Sequence, residues 1–273
     1  MKDKLIFLFT LICTLIIFSP FLWLVLDLII KGLNTIIAYG IDFLIAEPPL
    51  PGDGLGGIGT VLEGTLFMVL IASLISIPIS LSTAVYVVMN ERSKFAFLFR
   101  FLTESLLEFP TIIIGISVFI IFAKGLKLGL NGITAAIALS IIMIPYTTIQ
   151  AIENMKQSRD KYLETGYALG LSDSNVIKLI VSEGREGVIT GILIGMAKIF
   201  GETAPLLFTT VTSFNIFLKN LFSPVSAIPV LIFEYAFSPY ENWHDVAWGA
   251  SLTLMFIVIV LFTLTRFLIR RKI

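Results

Sequence analysis

Residues 198–210, KIFGETAPLLFTT, place a lysine and a glutamate four positions apart in an otherwise oily stretch. The ten residues before Lys198 carry no charge, and neither do the sixteen between Glu202 and Lys219. On a helix, side chains at this spacing can meet. Such a pair supports two kinds of chemistry. It can lock helices together as a neutral, dry ion pair. Alternatively, Lys198 can offer a positive charge to a passing anion, while Glu202 offsets that charge when the path is empty. Pro205 follows Glu202 by three positions, so a helix here would lose a backbone bond near Gly201 and kink. Thr203, Thr209 and Thr210 could satisfy the loosened backbone or line a polar path.

Other chemistries are excluded or unsupported. Cys13 is the only cysteine and His244 the only histidine, which rules out a disulfide framework and a Cys- or His-based metal cluster. His244 reads as a solvated loop residue beside Asp245 and Glu241. GLGGIG at 54–59 fits the G-x-G-x-x-G pattern, but it follows PPLPGD and precedes an apolar run, not a strand-to-helix turn. It reads as a loop that caps the next helix. No G-x-x-x-x-G-K-[ST], nucleophile elbow or H-E-x-x-H occurs, so no motif supports an enzyme or P-loop ATP hydrolysis.

The elements that must position the pair follow from composition. The chain has 273 residues, 57% apolar and 14% charged, with zero formal net charge. Ordinary soluble domains are about 25% charged, so this sequence predicts an all-α integral membrane protein. With about 20 apolar residues needed per span, six segments emerge: Leu5–Leu26, Gly64–Asn90, Glu104–Ala123, Asn131–Ile152, Gly187–Thr210 and Val246–Thr265. The first begins like a signal peptide, but it is too long and lacks a cleavage site. With the N-terminus inside, fourteen Lys and Arg fall in inner segments and four in outer ones. Both termini are therefore expected in the cytoplasm. Lys198 then lies eleven residues beyond Gly187, roughly 16 Å into a ~30 Å core. Unpaired charges at that depth are costly and mark pathways. Gly187, Gly191 and Gly195 form a small-residue stripe leading to the pair, suited to close approach by another helix or a cavity. Pro78, Pro110 and Pro145 are candidate kinks. Glu104 and Glu108 read as an interfacial turn within reach of Arg100.

Two loops have their own character. The outer loop, 211–245, is rich in proline and aromatics and is expected to pack on helix ends or dip into the membrane. The inner loop, 153–186, is far longer than a connector requires. Within it, DKYLETGYALGLSDSNVIKLIVSE spaces Tyr162, Leu163, Tyr167 and Leu171 as an apolar helical face. Gly170 is placed to end that helix. Ser172 or Asp173 can cap a second helix carrying Val176, Ile177 and Ile180. Two short amphipathic helices make a knob, which suits a groove on a partner protein or the lipid surface.

These stretches resemble the importer permeases of the ATP-binding-cassette class. Their cytoplasmic signature is E-A-A-x-x-x-G, followed nine residues later by I-x-L-P. Here Glu164, Gly166, Gly170, Leu171 and Ile180 fall on it, with Thr165-Gly166 for Ala-Ala and Ser182-Glu183 for Leu-Pro. The stretches from Gly56, EFPTIIIGISVF at 108–119, GETAPLLFTT at 201–210 and PVLIFEYAFSPYENWHDVAWGASLTL at 229–254 are similar to the phosphate-transporting members of that class. The family commonly has Arg at the Lys198 position and Glu at that of Glu202.

The resemblance implies a type I importer permease fold with six transmembrane helices in the cytoplasmic (inner) membrane. Residues 1–58 would form the first span and outer loop, 59–269 the permease core, and 270–273 a tail. Lys198, Glu202, Thr203 and Thr209 would belong to the substrate path. Glu164, Gly166, Gly170, Leu171 and Ile180 would couple to an ATPase. Gly187, Gly191, Gly195, Pro205 and Pro145 would serve helix packing or hinging. The implied partners are a PstC-like permease, a PstB-like ATPase dimer, a PstS-like phosphate-binding protein, inorganic phosphate and the lipid bilayer. No cofactor or metal is expected in this chain, since ATP and Mg²⁺ would sit on the ATPase. Nucleic acid is not expected as a partner. A permease for another oxyanion or small solute, an ion-coupled secondary transporter and a non-transporting scaffold are the alternatives.

Overall fold

The structure, a computed structural model, describes residues 2–54, 56–211 and 214–270. Among the described residues it is helical throughout, with no strand. α1 (Lys2–Tyr39) and the short α2 (Asp42–Ile45) lead into α3 (Gly59–Met89). Then come α4 (Lys94–Leu107), α5 (Thr111–Val118) and a π-helical turn, Phe119–Gly125. α6 (Gly132–Ala168), α7 (Asp173–Glu183), α8 (Arg185–Phe200) and α9 (Leu206–Thr209) follow. α10 (Ile228–Ala236) and α11 (Glu241–Arg270) complete the chain.

α3 and α6 form the centre. The serines that dilute α3 explain how the two pack. Ser76 Oγ donates to Ser140 O at 3.1 Å and Ser80 Oγ to Ile144 O at 3.1 Å. Small side chains let the helices approach, and their hydroxyls bond across the gap. Met68, Ala72, Ala135, Leu139 and Met143 fill the apolar core between and around them. Both helices run unbroken through their prolines, Pro78 and Pro145. α1 by contrast leans mainly on α11, touches α2 at its end, and is exposed along most of its length. The contact with α11 depends on Gly32, where a Cβ would come within 2.6 Å of Leu252 Cβ.

Several expected boundaries change. The first helix continues to Tyr39 instead of ending near Leu26. The third predicted span is not one helix. α4 and the helix continuing through α5 meet at 102° around Pro110, which lacks the N–H that would continue α4. Glu104 therefore belongs to a separate amphipathic helix, where Arg100 Nε meets it at 2.8 Å. α6 extends to Ala168, so much of the expected inner loop is the end of a long helix. The knob thus pairs one long helix with the short α7. The last helix starts at Glu241, which places His244 on a helix, its Nε2 2.8 Å from Ser238 O. Among the described residues four helices are long and apolar enough to cross a membrane, and the bent pair makes a fifth if counted as one. α8 has 16 residues, about 24 Å of helix, shorter than a ~30 Å core. Of the expected tail 270–273, residues 271–273 lie outside the described residues.

The glycines before α3 have a packing reason. A Cβ on Gly57 would come within 2.6 Å of Asp42 O. Backbone N–H groups of Gly57, Ile58 and Gly59 donate to Glu47, Phe43 and Ala46 at 2.7–2.8 Å. The N–H of Gly59, the first of α3 and without a partner in its own helix, is thus satisfied by Ala46, just after α2. Residues 214–243 fold back over this end. Tyr235 stacks on Trp243 at 4.2 Å, and both donate to Pro49 O at 3.1 and 3.0 Å. Thr60 Oγ1 donates to Phe214 O, and Ile228 N to Thr65 Oγ1 at 2.8 Å. Packing on helix ends, one of the two expectations for the segment 211–245, is therefore what these residues do.

Candidate functional site

α8 delivers Lys198 in its last turn, then stops at Phe200 with Gly201 as its cap. Glu202 lies just outside the helix, in a turn where its N–H donates to Ile199 O at 3.3 Å. The expected kink is thus a complete break. Pro205 does not bend a continuous fifth helix; it stands at the head of α9, where its fixed φ and missing N–H cost least. The side chains nevertheless meet, Lys198 Nζ to Glu202 Oε1, at 2.6 Å. Their exposures differ sharply, 39% for Lys198 against 6% for Glu202. The carboxylate is buried and anchors the ammonium, while the lysine side chain stays partly exposed. The Tyr146 ring of α6 lies 5.9 Å from Nζ, within the range at which a π face attracts a cation.

Four residues hold this turn. Thr209 Oγ1 donates to Pro205 O at 3.0 Å and Thr210 Oγ1 to Leu206 O at 2.7 Å. Thr209 is fully buried, so of the two uses its sequence allowed it serves the loosened backbone in this state. The Thr203 carbonyl accepts from Leu206 and Leu207 at 3.0 and 3.2 Å. Gly115 of α5 lies against Pro205, where a Cβ would come within 2.5 Å of its Cα. Tyr146 and Gly115 were not singled out from sequence. Gly115 stands inside the quoted EFPTIIIGISVF, but nothing marks it as facing Pro205.

The glycine stripe packs on α6. A Cβ on Gly191 would come within 2.6 Å of Gln150 Cβ, and one on Gly195 within 2.5 Å of Thr147 Oγ1. A Cβ on Gly187 would overlap Asn154. Bare backbone therefore lets α8 lie flat on α6, which fixes the height of Lys198 beside Tyr146. Pro145 is buried within α6, close to this contact.

The knob forms at the far end of α6. Gly170 adopts φ +76°, with Leu171 N donating to Gly166 O at 3.1 Å and Gly170 N to Tyr167 O at 2.9 Å. This paired ending is the Schellman arrangement. Ser172 stands at the head of α7 but makes no side-chain cap bond, and Asp173 instead accepts from Tyr167 Oη at 3.0 Å. That bond holds the Tyr167 phenol above its ordinary pKa. Gly166 faces Val176, and Val176 and Ile180 are buried. Ile180 and Gly166 thus build the knob from inside, while Glu164, Gly170 and above all Leu169, 75% exposed, form its outer surface. Leu171 is half-buried between the two.

A partly exposed cation on a buried carboxylate thus stands beside Tyr146 of α6, and a knob forms at that helix's end. Residues 76–272 match the family described as binding-protein-dependent transport system inner membrane component. The chain belongs to that family, and it is a multi-pass membrane protein of a transport system, not an enzyme. The similarity narrows further. It is 35% identical over 272 residues to the probable phosphate transport system permease protein PstA of Methanocaldococcus jannaschii, covering 98% of this chain and 94% of that one. To PstA of Haemophilus influenzae it is 35% identical, covering 92% and 87% of the two chains, and to PstA of Yersinia pestis 30%, covering 92% and 84%. No group of three or more His, Cys, Asp or Glu that could hold a metal ion exists among the described residues.

Proposed function

We propose that this chain is the permease subunit of an ATP-driven phosphate importer, forming half of the path. The observation that carries this reading is likeness to PstA proteins along almost the entire chain. Lys198 is the anion contact, placed where the break between α8 and α9 leaves its ammonium open. Glu202 holds it there and weakens its grip on the ion, because transit requires release as well as binding. A lysine acts as a point charge without the planar fork of arginine, so it guides phosphate instead of clasping it. Thr203 flanks the contact, and Thr209 keeps the α9 turn in place beneath it.

In this reading the chain crosses the membrane six times, with α8 and the segment through α9 completing the fifth crossing and both termini in the cytoplasm. Residues 59–269 make up the permease core. The partners are a PstC-like permease, a PstB-like ATPase dimer that carries ATP and Mg²⁺, and a PstS-like binding protein. The knob around Leu169 and Gly170 seats in the ATPase, and Gly191 and Gly195 keep α8 packed on α6 as the halves rock.

The test is ATP-driven uptake by the complete transporter in proteoliposomes, with labelled phosphate, sulfate and molybdate compared. Phosphate uptake that falls at least about ten-fold in Lys198→Gln, with assembly intact, is expected. Uptake of another oxyanion in place of phosphate would overturn the substrate, and unchanged uptake in Lys198→Gln would overturn the path.

A further inference from the structure

At the end of α3 opposite its glycine cap, Asn90, Glu91, Arg92, Ser93 and Arg159 line a cleft of ≈ 520 Å³. Its charges do not cancel. Glu91 is taken up by Lys156 at 3.0 Å and Arg159 at 3.1 Å, and Asp160 by Arg159 at 3.2 Å. Arg92 and Lys94 form no ion pair among the described residues. The Arg159 Nε is buried and has no hydrogen-bond partner, an unmet donor that costs free energy until an acceptor arrives.

α4 leaves this cleft directly. It buries only Ala96 and Thr103, while Phe95, Phe97, Leu98, Phe101 and Leu102 are exposed. Phe97 stacks on Phe101 at 6.4 Å, and Tyr86 joins the two features, its ring edge-on to Phe99 and its hydroxyl 3.4 Å from Ser93 Oγ. An aromatic helix face joined to a cationic cleft matches a molecule with an anionic head and apolar tails. A free anion would use the cleft but leave the helix face uncovered.

We infer that the cleft and α4 together bind one anionic phospholipid, its phosphate against Arg92 and Arg159 and its acyl chains along the α4 phenylalanines. The inference rests on the proposed orientation, which puts this end of α3 in the cytoplasmic leaflet, but not on the identity of the transported ion. An α4 seated this way braces the 102° bend at Pro110 and, through α5, the Gly115–Pro205 contact beneath Lys198.

The purified transporter in nanodiscs of phosphatidylcholine with a minor fraction of phosphatidylglycerol tests it, with retained lipid read by native mass spectrometry. Wild type should retain phosphatidylglycerol preferentially, and each cation removed should lower that preference about five-fold. Arg92→Gln and Arg92→Gln/Lys94→Gln are the variants of choice, because neither residue forms an ion pair among the described residues. Lys198→Gln should leave retention unchanged, so lipid retention and phosphate uptake fail separately. Equal retention of the two lipids by wild type, an unchanged preference in the double variant, or displacement of the lipid by millimolar inorganic phosphate would each overturn the assignment.

Discussion

At the scale of residues, the Lys198–Glu202 pair is unequal, and the inequality makes a prediction. Truncating one member of a buried pair leaves the other charge uncompensated. Glu202 is 6% exposed and Lys198 39%. Lys198→Gln therefore strands a carboxylate in the interior and should cost on the order of 2–3 kcal/mol, less than a fully enclosed pair would. Glu202→Gln leaves an ammonium on a partly exposed side chain, and should cost about 1 kcal/mol or less. Thermal unfolding of the two detergent-purified variants checks the order, and equal losses would contradict the geometry. In uptake the order differs in kind. Glu202→Gln should bind phosphate more tightly and release it more slowly, which appears as a lower KM together with a lower maximal rate. Lys198→Arg should retain uptake, since the charge stays in place.

At the scale of elements, the glycines of α8 and the cap of α6 set positions that no side chain could. With a Cβ on Gly191 falling 2.6 Å from Gln150 Cβ, Gly191→Val should push α8 off α6 at a cost of about 1–3 kcal/mol. It should abolish uptake without touching the charged pair; normal uptake in that variant would deny the stripe its role. Leu169→Asp tests the knob, since an exposed apolar tip contributes little to the fold. ATPase activity driven by the binding protein should fall while the melting temperature holds, and unaltered coupling would remove Leu169 from the docking surface. Much of this was legible in the sequence: the helical class, the glycine stripe, the left-handed Gly170 and the ion pair follow from spacing and residue type alone. The breaks were harder to read. Hydropathy cannot distinguish a continuous span from α4 and α5 meeting at Pro110, because both readings have the same composition. Nor can it show that α8 ends at Phe200, because the i,i+4 spacing of Lys198 and Glu202 is satisfied equally by a turn that follows a helix. Tyr146 and Gly115 act through contacts distant in sequence, which local patterns do not record.

At the scale of the whole molecule, two faces of one chain must meet different solvents, and charge reports which. The end of α3 carries Glu91 held by Lys156 and Arg159. The Lys156 hydrogen bond, opposed by burial and aided by the Arg159 charge, keeps the Glu91 carboxyl below the usual glutamate range. A depressed folded pKa contributes stability that is present above the unfolded value and is lost as pH falls through the folded one. The melting temperature should therefore decline as pH drops below about 4.3, and Glu91→Gln should flatten that decline. A variant as acid-sensitive as wild type would show that this cluster is not part of it. Orientation is the larger claim. Lys219 lies in the segment packed over the glycine cap of α3, whereas Tyr167 and Leu169 lie on the knob at the far end of α6. Replacing Cys13 by Ser and placing single cysteines at Lys219 or Leu169 distinguishes the two sides in intact cells with a membrane-impermeant maleimide. Label should reach position 219 from outside, and position 169 only after permeabilisation. Six crossings further require cysteines introduced at Lys2 and at Lys272 to be protected together. If one terminus is labelled from outside while the other is shielded, then α8 and α9 do not complete a crossing, and Lys198 loses its place in the middle of the membrane.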